Sequence, residues 1–520
     1  MVASRDFGYF LDEVAADAQK WDGSDSGGLT KWGITAPTTA ISVGAPVGGA
    51  VTLVSGRNYF VVFKNATTGH HSGLNPVSAT TGPITAQDIP LSNIEVSGDS
   101  QVDRKIILAT ADGGNQTILY FLGDIPNAQT TLTDNVTELA LLANNVFLET
   151  DSFGVEHGVA DNDPPPDGTH VIKHRGRLVM ANGQFINVSK SIGELTTSTG
   201  TITGRYEEAW PATFQLDISE GAESISGLLS NGSSLYVGTE RHVRVILGDS
   251  PQNFSKPEIK FNEVGVLNQE VWRSVFREGT PAGVIWLAPD HRVVYSDFNT
   301  YKDIGTPIQD VLDSINDSQA SKAHATFYAE GPYDFYVLAI PTGANTEPET
   351  LCVYDLRNQT WYVWQPTDKV TAMLHNINSS GTPQWLWTAG TNGKKYHFRS
   401  TDTKDRVADT PVDFTATIRT PWLALSDPTA RKLLNELEVL TGDSTMTVTV
   451  ESASTQAEFA SPTTVVSGAS LVTSPLGDFK VYLAGKVTKD KFYRFTFIST
   501  AVGDPLLNYF ALDFTPLHRF

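Results

Sequence analysis

Residues 351–365 read Leu351-Cys-Val-Tyr-Asp-Leu-Arg-Asn-Gln-Thr-Trp-Tyr-Val-Trp-Gln365, and this stretch decides the fold. Cys352, Tyr354 and Leu356 alternate with Leu351, Val353 and Asp355. Arg357 to Gln359 break the run, and Trp361 to Trp364 supply an aromatic and β-branched return. Such alternation marks a strand, and the spacings of three and four that a helix needs are absent. The stretch is therefore a β-hairpin.

The same unit recurs along the chain. Arg177 to Ser189 places two short strands around Asn182-Gly183, a pair suited to the positive φ angles of a type I′ turn. Leu235 to Gly248, Val284 to Tyr295, Phe335 to Ile340 and Gln384 to Phe398 repeat the pattern. Their first apolar strands, at Leu178, Leu235, Ile285, Val337 and Leu386, recur roughly every 50 residues, the length of a four-stranded propeller blade. Residues 169–410 are accordingly expected to form a degenerate β-propeller.

A chain of 520 residues exceeds one compact core, and 43 glycines with 27 prolines punctuate nearly every apolar run. Helical periodicity is confined to Phe10–Lys20 and Gln309–Ile315, so the fold class is mainly β. The single cysteine, Cys352, excludes an internal disulfide framework and reads as a small buried apolar side chain. The N-terminus lacks the apolar core of a signal peptide, and no run reaches the roughly 18 apolar residues of a membrane span. Net charge is −21, from 37 basic and 58 acidic residues. This opposes static nucleic-acid binding, which needs lysine and arginine to neutralise phosphate, but permits DNA to pass a non-adhesive wall.

Residues 1–35 combine a short helix, Phe10–Lys20, with a blade-like strand, Leu29–Ile34, and are expected to join the propeller. Residues 36–134 change pattern: Ala50–Val54, Tyr59–Phe63, Ile89–Ile94, Lys105–Ala109 and Thr117–Leu122 are short strands separated by turns. Their spacing predicts a fibronectin III/Ig-like β-sandwich inserted at the periphery, with few contacts to its neighbours. Gly56-Arg-Asn-Tyr-Phe-Val-Val-Phe63, Ser72-Gly-Leu-Asn-Pro-Val-Ser78 and Arg104-Lys-Ile-Ile-Leu108 resemble the fibronectin-like inserts of phage tail proteins. Residues 135–168 read as a linker ending in Asp161-Asn-Asp-Pro-Pro-Pro-Asp-Gly168. Residues 411–520, with alternating runs at Leu434–Leu440, Met446–Glu451 and Phe492–Ile498, predict a C-terminal β-sandwich.

A search for chemistry finds no phosphate loop, dinucleotide fingerprint, nucleophile elbow or zinc-protease helix. His170 and His174 share a strand face without a third ligand nearby, and His70-His71 reads as a surface turn. Asp161, Asp163 and Asp167 place three carboxylates in eight residues, but the three consecutive prolines 164–166 prevent a tight calcium loop. Ser296 to Gly305 lacks the spacing of a sialidase turn. Tyr354, Asp355 and Trp361 to Trp364 have the composition of a sugar platform but read as blade core. No catalytic, cofactor-binding or metal residue is assigned.

Taken together, His174-Arg-Gly-Arg-Leu-Val-Met-Ala-Asn-Gly183, Ser234-Leu-Tyr-Val-Gly-Thr-Glu240, Val284-Ile-Trp-Leu-Ala288 and Val353-Tyr-Asp-Leu-Arg-Asn-Gln-Thr-Trp361 resemble the tail nozzle (tail tubular protein B-like) family of short-tailed bacteriophages. The resemblance implies a structural virion protein without cofactor or enzymatic activity, assembled in the host cytoplasm. It implies a homohexameric ring that conducts DNA during ejection and meets a portal-side adaptor and tail fibre or tip proteins. Two other classes stand beside it: a tail-associated polysaccharide-degrading propeller enzyme, and a receptor- or carbohydrate-binding adhesin.

Overall fold

The structure is a computed structural model of the chain. It describes all residues except 1, 5–6, 12–17, 22–27, 145, 149–161, 192–194, 198–199, 203–205, 219–222, 331–332, 367, 378–382, 390–393, 399–404, 408–409, 413–415, 426–427, 442–445, 472–477, 483–488, 500–506 and 518–520. The protein is mainly β, with many four-stranded antiparallel sheets of the kind that form propeller blades. Two compact units are present: Met1–Ser274 with Gly283–Asp303, and Val275–Ala282 with Ile304–Phe520. No described helix is long and apolar enough to cross a membrane.

Five sheets share one meandering order. Sheet I comprises Val2–Ser4, Phe7–Phe10, Gln19–Trp21 and Leu29–Lys31; sheet II comprises His170–His174, Arg177–Asn182, Phe185–Val188 and Gln215–Asp217. Sheet III is Ile225–Asn231, Ser234–Thr239, Val243–Leu247 and Glu258–Phe261, and sheet IV is Arg273–Arg277, Thr280–Leu287, Val293–Ser296 and Tyr301–Asp303. Sheet V runs through His324–Glu330, Tyr333–Ile340, Thr350–Asp355 and Thr360–Trp364. A three-stranded sheet VI follows at Ala372–Ile377, Pro383–Ala389 and Lys394–Phe398.

Burial explains why these strands read as near-continuous apolar runs. Thr350–Asp355 is buried at every position and Tyr333–Ile340 at all but its first, whereas Thr360–Trp364 is mostly exposed. Ser234–Thr239 against Glu258–Phe261, and Thr280–Leu287 against Tyr301–Asp303, show the same gradient. A strand covered on both faces needs apolar residues on both, which erases the alternation of a half-solvated strand. The turns follow φ chemistry: Arg175-Gly176 and Glu278-Gly279 both take positive φ, as type I′ requires. The turn expected at Asn182-Gly183 is shifted by one residue. Asn182 pairs with Phe185, so the loop is Gly183-Gln184 with glycine in the first central position, the place a type II′ turn reserves for it.

The expected helix at Phe10–Lys20 is not what the described residues form. Phe10 closes a strand, Gln19–Trp21 is its antiparallel partner, and residues 12–17 between them lie outside the description. A stretch this short has little helical stability of its own, and tertiary packing of Tyr9 overrides its periodicity. Tyr9 and Trp32 share a buried cluster with Leu178, Met180 and Trp210, which sets sheet I against sheet II. Sheets II and III share the next cluster, from Val179 and Val188 to Val237 and Ile246. Trp272 then packs 6.1 Å from Trp286 of sheet IV.

Residues 41–148 form two facing sheets around one core that includes Val51, Tyr59, Val61, Ile89, Ile107 and Leu141. The edge strand Tyr59–Lys64 is covered by residues 72–81 through a period of three. Phe63, Val61, Tyr59 and Arg57 donate their N–H groups to Ser72 Oγ, Asn75 Oδ1, Ser78 Oγ and Thr81 Oγ1. The segment thereby closes an edge that would otherwise be open to pairing. Residues 138–148, expected within a linker, are built into this pair of sheets: Leu141 enters the core, and Val146–Leu148 pairs with Ile118–Pro126. Arg57, fully buried, ties strand to helix through Asp134 at 2.9 Å and Glu138 at 2.7 Å. The insert also makes more contacts than its polar boundaries suggest. Gln101 Nε2 donates to Lys31 O at 3.0 Å, and Phe63 and Val102 bury against Ile34.

In the second unit, sheets V and VI meet through Tyr328, Val337, Val353, Val370 and Met373. The C-terminal residues again make two facing sheets. Leu434, Leu437 and Val439 of one meet Val448, Val450, Tyr493, Phe495 and Phe497 of the other, and the alternation visible in sequence is the buried face.

Candidate functional site

Every residue type that invited a chemical reading has a place in the architecture. His174 is buried, with Nε2 at 3.1 Å from Gly248 O and Nδ1 at 2.8 Å from Ser230 Oγ. A carbonyl can only accept, so Nε2 carries the proton and Nδ1 accepts from the serine hydroxyl. Burial holds this imidazole below its ordinary pKa. Both nitrogens are thus occupied, and His170 of the same strand gains no metal partner there. Among the described residues no group of three His, Cys, Asp or Glu side chains could hold a metal ion.

Two expectations about histidine and aromatic exposure are corrected. His70 and His71 are buried, because Lys64 and His71 form a bridge that draws the turn onto the strand edge. Burial pushes the His71 pKa down to about 3. Among the aromatics after the hairpin turn, Trp361 packs 5.0 Å from Tyr354 and donates Nε1–H to Ile304 O at 2.7 Å. Trp364 meets Phe335 edge-on, whereas Tyr362 and Val363 are exposed, since this last strand has no sheet beyond it among the described residues.

The remaining candidates are closed loops. Ser296 Oγ donates to Thr300 O, and Asp297 accepts from the N–H groups of Asn299 and Thr300, which hold its carboxyl below the usual range. Asp161 lies outside the described residues, while Asn162 accepts from buried Lys190 at 2.5 Å. Cys352 is fully buried and its thiol is pushed up to about 12.

A nucleophile–base relay was sought and not found where the ingredients meet. Glu223 stands between its partners, accepting from Thr239 Oγ at 2.5 Å and from His242 Nδ1 at 2.8 Å. The hydroxyl therefore faces a carboxylate rather than the imidazole base that would activate it.

The feature that sequence reading missed is a buried polar node at Tyr206-Glu-Glu-Ala-Trp210. Glu207, Glu208, Lys20 and Lys190 are all buried, with Lys20 Nζ 2.5 Å from Glu208 Oε2. Trp32 Nε1 donates to Glu207 O and Trp210 N to Asp163 O. Gly33, at φ +84°, passes so close that a Cβ would lie 2.9 Å from both Glu208 O and Pro164 Cα. The node joins sheet I, the start of the insert and the chain's return from it. Two adjacent acidic residues before Ala-Trp were the only signal available.

No protein-family model and no curated protein sequence matches the chain. Solved structures similar to it include BBS1N in complex with ARL6DN, at 8% identity and TM-score 0.29, covering 70% of this chain and 99% of that one. The N-terminal domain of Nup159 follows at 7% identity and TM-score 0.28, covering 68% and 84%. The Neurospora crassa Pan2 WD40 domain is at 9% identity and TM-score 0.21, covering 45% and 79%. At these scores the likeness decides nothing about function.

Proposed function

We propose that this chain is a ring-forming structural component of a short-tailed phage tail, of the nozzle type, that conducts DNA during ejection. In this reading sheets I to VI belong to a degenerate β-propeller, and the two-sheet body after Ile34 is a fibronectin III/Ig-like insert. The C-terminal pair of sheets is then a second sandwich.

One observation carries the proposal: the motifs that resemble the nozzle family act at the boundaries between structural elements. His174 holds Gly248, and Arg177 donates to Asp249 O at 3.2 Å and Ser189 O at 3.1 Å. Trp286 donates to Gly265 O at 2.9 Å, and Gly238 admits Val266 and the Trp272 ring where a Cβ would collide. In the second unit Arg357 Nε meets Asp334 at 2.6 Å, and Asp334 also accepts the N–H of Glu278. Residues spent on joining elements suit a wall that must bear load and present no binding chemistry to its cargo.

Charge fits the same role. Duplex DNA carries about one charge per 1.7 Å of axis, so a basic lumen would hold it through many released counterions. A net-acidic chain at −21 opposes such adhesion, and the repulsion is screened within about 8 Å at physiological salt. The test is sedimentation of the purified chain together with ejection assays. A closed oligomer is expected, and lysine replacing lumen carboxylates should slow ejection at low salt only. A monomer that depolymerises host surface polysaccharide would overturn the proposal in favour of an enzyme.

A further inference from the structure

The two-sheet body formed by residues 41–148 is fastened at one end and exposes aliphatic side chains at the other. Phe63 and Val102 bury against Ile34, and Gln101 Nε2 donates to Lys31 O at 3.0 Å, so the far end of Tyr59–Lys64 is the base. At about 3.3 Å per residue, the six residues of this strand put its start on the order of 20 Å from that base. Three segments meet there. The loop 53–56 leads into the strand, the turn 110–117 joins Arg104–Ala109 to Ile118–Pro126, and the helix Glu138–Leu142 precedes Val146–Leu148, which pairs with 118–120.

Each of these segments turns aliphatic side chains outward. Leu139 is 82% exposed, Val54 78%, Leu142 45% and Ile118 44%. Leu139 and Leu142, three apart, share a face of the helix, and Leu141 is its buried residue. A surface helix ordinarily gives its apolar side to the core and its polar side to water, whereas this one also presents two leucines to solvent. The polar groups at the same end are already held. Asp112 accepts the N–H groups of Val54, Ser55 and Gly56 at 2.6, 2.8 and 2.8 Å, and its own N–H goes to Glu138 Oε1 at 3.0 Å. Arg57 holds Glu138 in turn, and the Gly113 N–H meets Gly56 O at 2.8 Å. These groups can leave water without losing a partner, as an apolar environment requires.

We propose that this tip inserts into the surface of a neutral phospholipid bilayer, with Val54, Ile118, Leu139 and Leu142 entering the boundary between headgroups and acyl chains. Shape and area select lipid over a protein partner. Val54 and Leu139 project from the surface instead of lining a groove, and four aliphatic groups fall well short of the roughly 800 Å² per partner that a stable protein interface buries. Charge selects the headgroup. Residues 52–56, 110–118 and 135–144 contain no lysine or arginine, and their two carboxylates, Asp112 and Glu138, are the ones already held. A chain at −21 with no basic patch at its tip is repelled by anionic lipid, whereas a zwitterionic surface sets no such barrier. Affinity then comes from the apolar side chains that leave water. The inference goes beyond the ring reading and does not depend on it.

The experiment is sedimentation of the full-length protein with phosphatidylcholine vesicles, with circular dichroism as the folding control. Binding is expected, and it should persist at 1 M salt, where exposed charges are screened within about 3 Å. Leu139→Ser combined with Leu142→Ser should raise the lipid concentration for half-binding about tenfold or more with an unchanged spectrum. Val54→Ser, on a different loop, should weaken binding in the same direction, which covers the case in which the helix variant misfolds. An environment-sensitive fluorophore on Leu139→Cys should shift to the blue on adding vesicles, and one on Ser100→Cys, beside Gln101 at the base, should not; Cys352 is buried and stays unlabelled. No binding to phosphatidylcholine, binding that needs anionic lipid and vanishes in salt, or unchanged binding by both sets of variants would overturn the proposal. Self-association without lipid that the leucine variant abolishes would overturn it in favour of a second copy as the occupant.

Discussion

Removing the ammonium of Lys20 tests the buried node most sharply. Lys20 and Glu208 are 3% and 0% exposed at the side chain and 2.5 Å apart, and Glu208 also lies 3.5 Å from the Tyr9 hydroxyl. Lys20→Met keeps most of the side-chain volume and leaves a buried carboxylate without its cation, which costs about 3–5 kcal/mol. Neutralising the partner as well, in Lys20→Met with Glu208→Gln, should recover a large part of that loss. The coupling in a double-mutant cycle is then expected to be about 2 kcal/mol or more. Trp32 and Trp210, with ring centroids 5.2 Å apart in the same cluster, report denaturant unfolding of this region by fluorescence. A Lys20→Met loss below about 1 kcal/mol, or coupling near zero, would refute the view that this pair fastens sheet I to sheet II.

Other expectations follow from single residues. Gly33→Ala should destabilise the same transition by more than about 1 kcal/mol, because φ is +84° and the new Cβ would meet two backbone atoms at 2.9 Å; thermal melting checks it. Asn75→Ala strips the side-chain acceptor from the Val61 N–H and the donor from Thr39 O, and should cost about 1–3 kcal/mol with faster amide exchange along Tyr59–Lys64. His71 is held neutral by burial at a pKa of about 3, against 6.5 in the unfolded chain. The unfolded state therefore binds the extra proton, and stability present above about pH 6.5 is lost as pH falls toward 3, by at most about 1.4 kcal/mol per unit. His71→Gln should flatten that part of the pH–stability curve, and an unchanged slope would remove His71 as its source.

The hairpins were legible because their determinants are local: alternation, β-branched and aromatic residues, and glycine at positive φ. The alternating core of the C-terminal sheets, Val448, Val450, Tyr493, Phe495 and Phe497, could be read for the same reason. Phe10–Lys20 misled because a few apolar spacings imitate a helical face, while the decisive contact of Tyr9 with Trp32 and Leu178 links distant residues. The ladder of Ser72, Asn75, Ser78 and Thr81 has a period of three, which matches neither strand nor helix and so escapes both searches. His70-His71 looked like surface because their burial depends on that covering segment. The ionic node was invisible because Lys20, Lys190, Glu207 and Glu208 converge from stretches up to 188 residues apart.

The most direct test of the central proposal is electron cryo-microscopy of a short-tailed phage particle that carries this chain. The account predicts an axial ring of identical copies below the portal-side adaptor, its channel wide enough for duplex DNA and without a continuous lysine or arginine stripe. Density for the chain as a peripheral appendage away from the tail axis, or its absence from the particle, would contradict it.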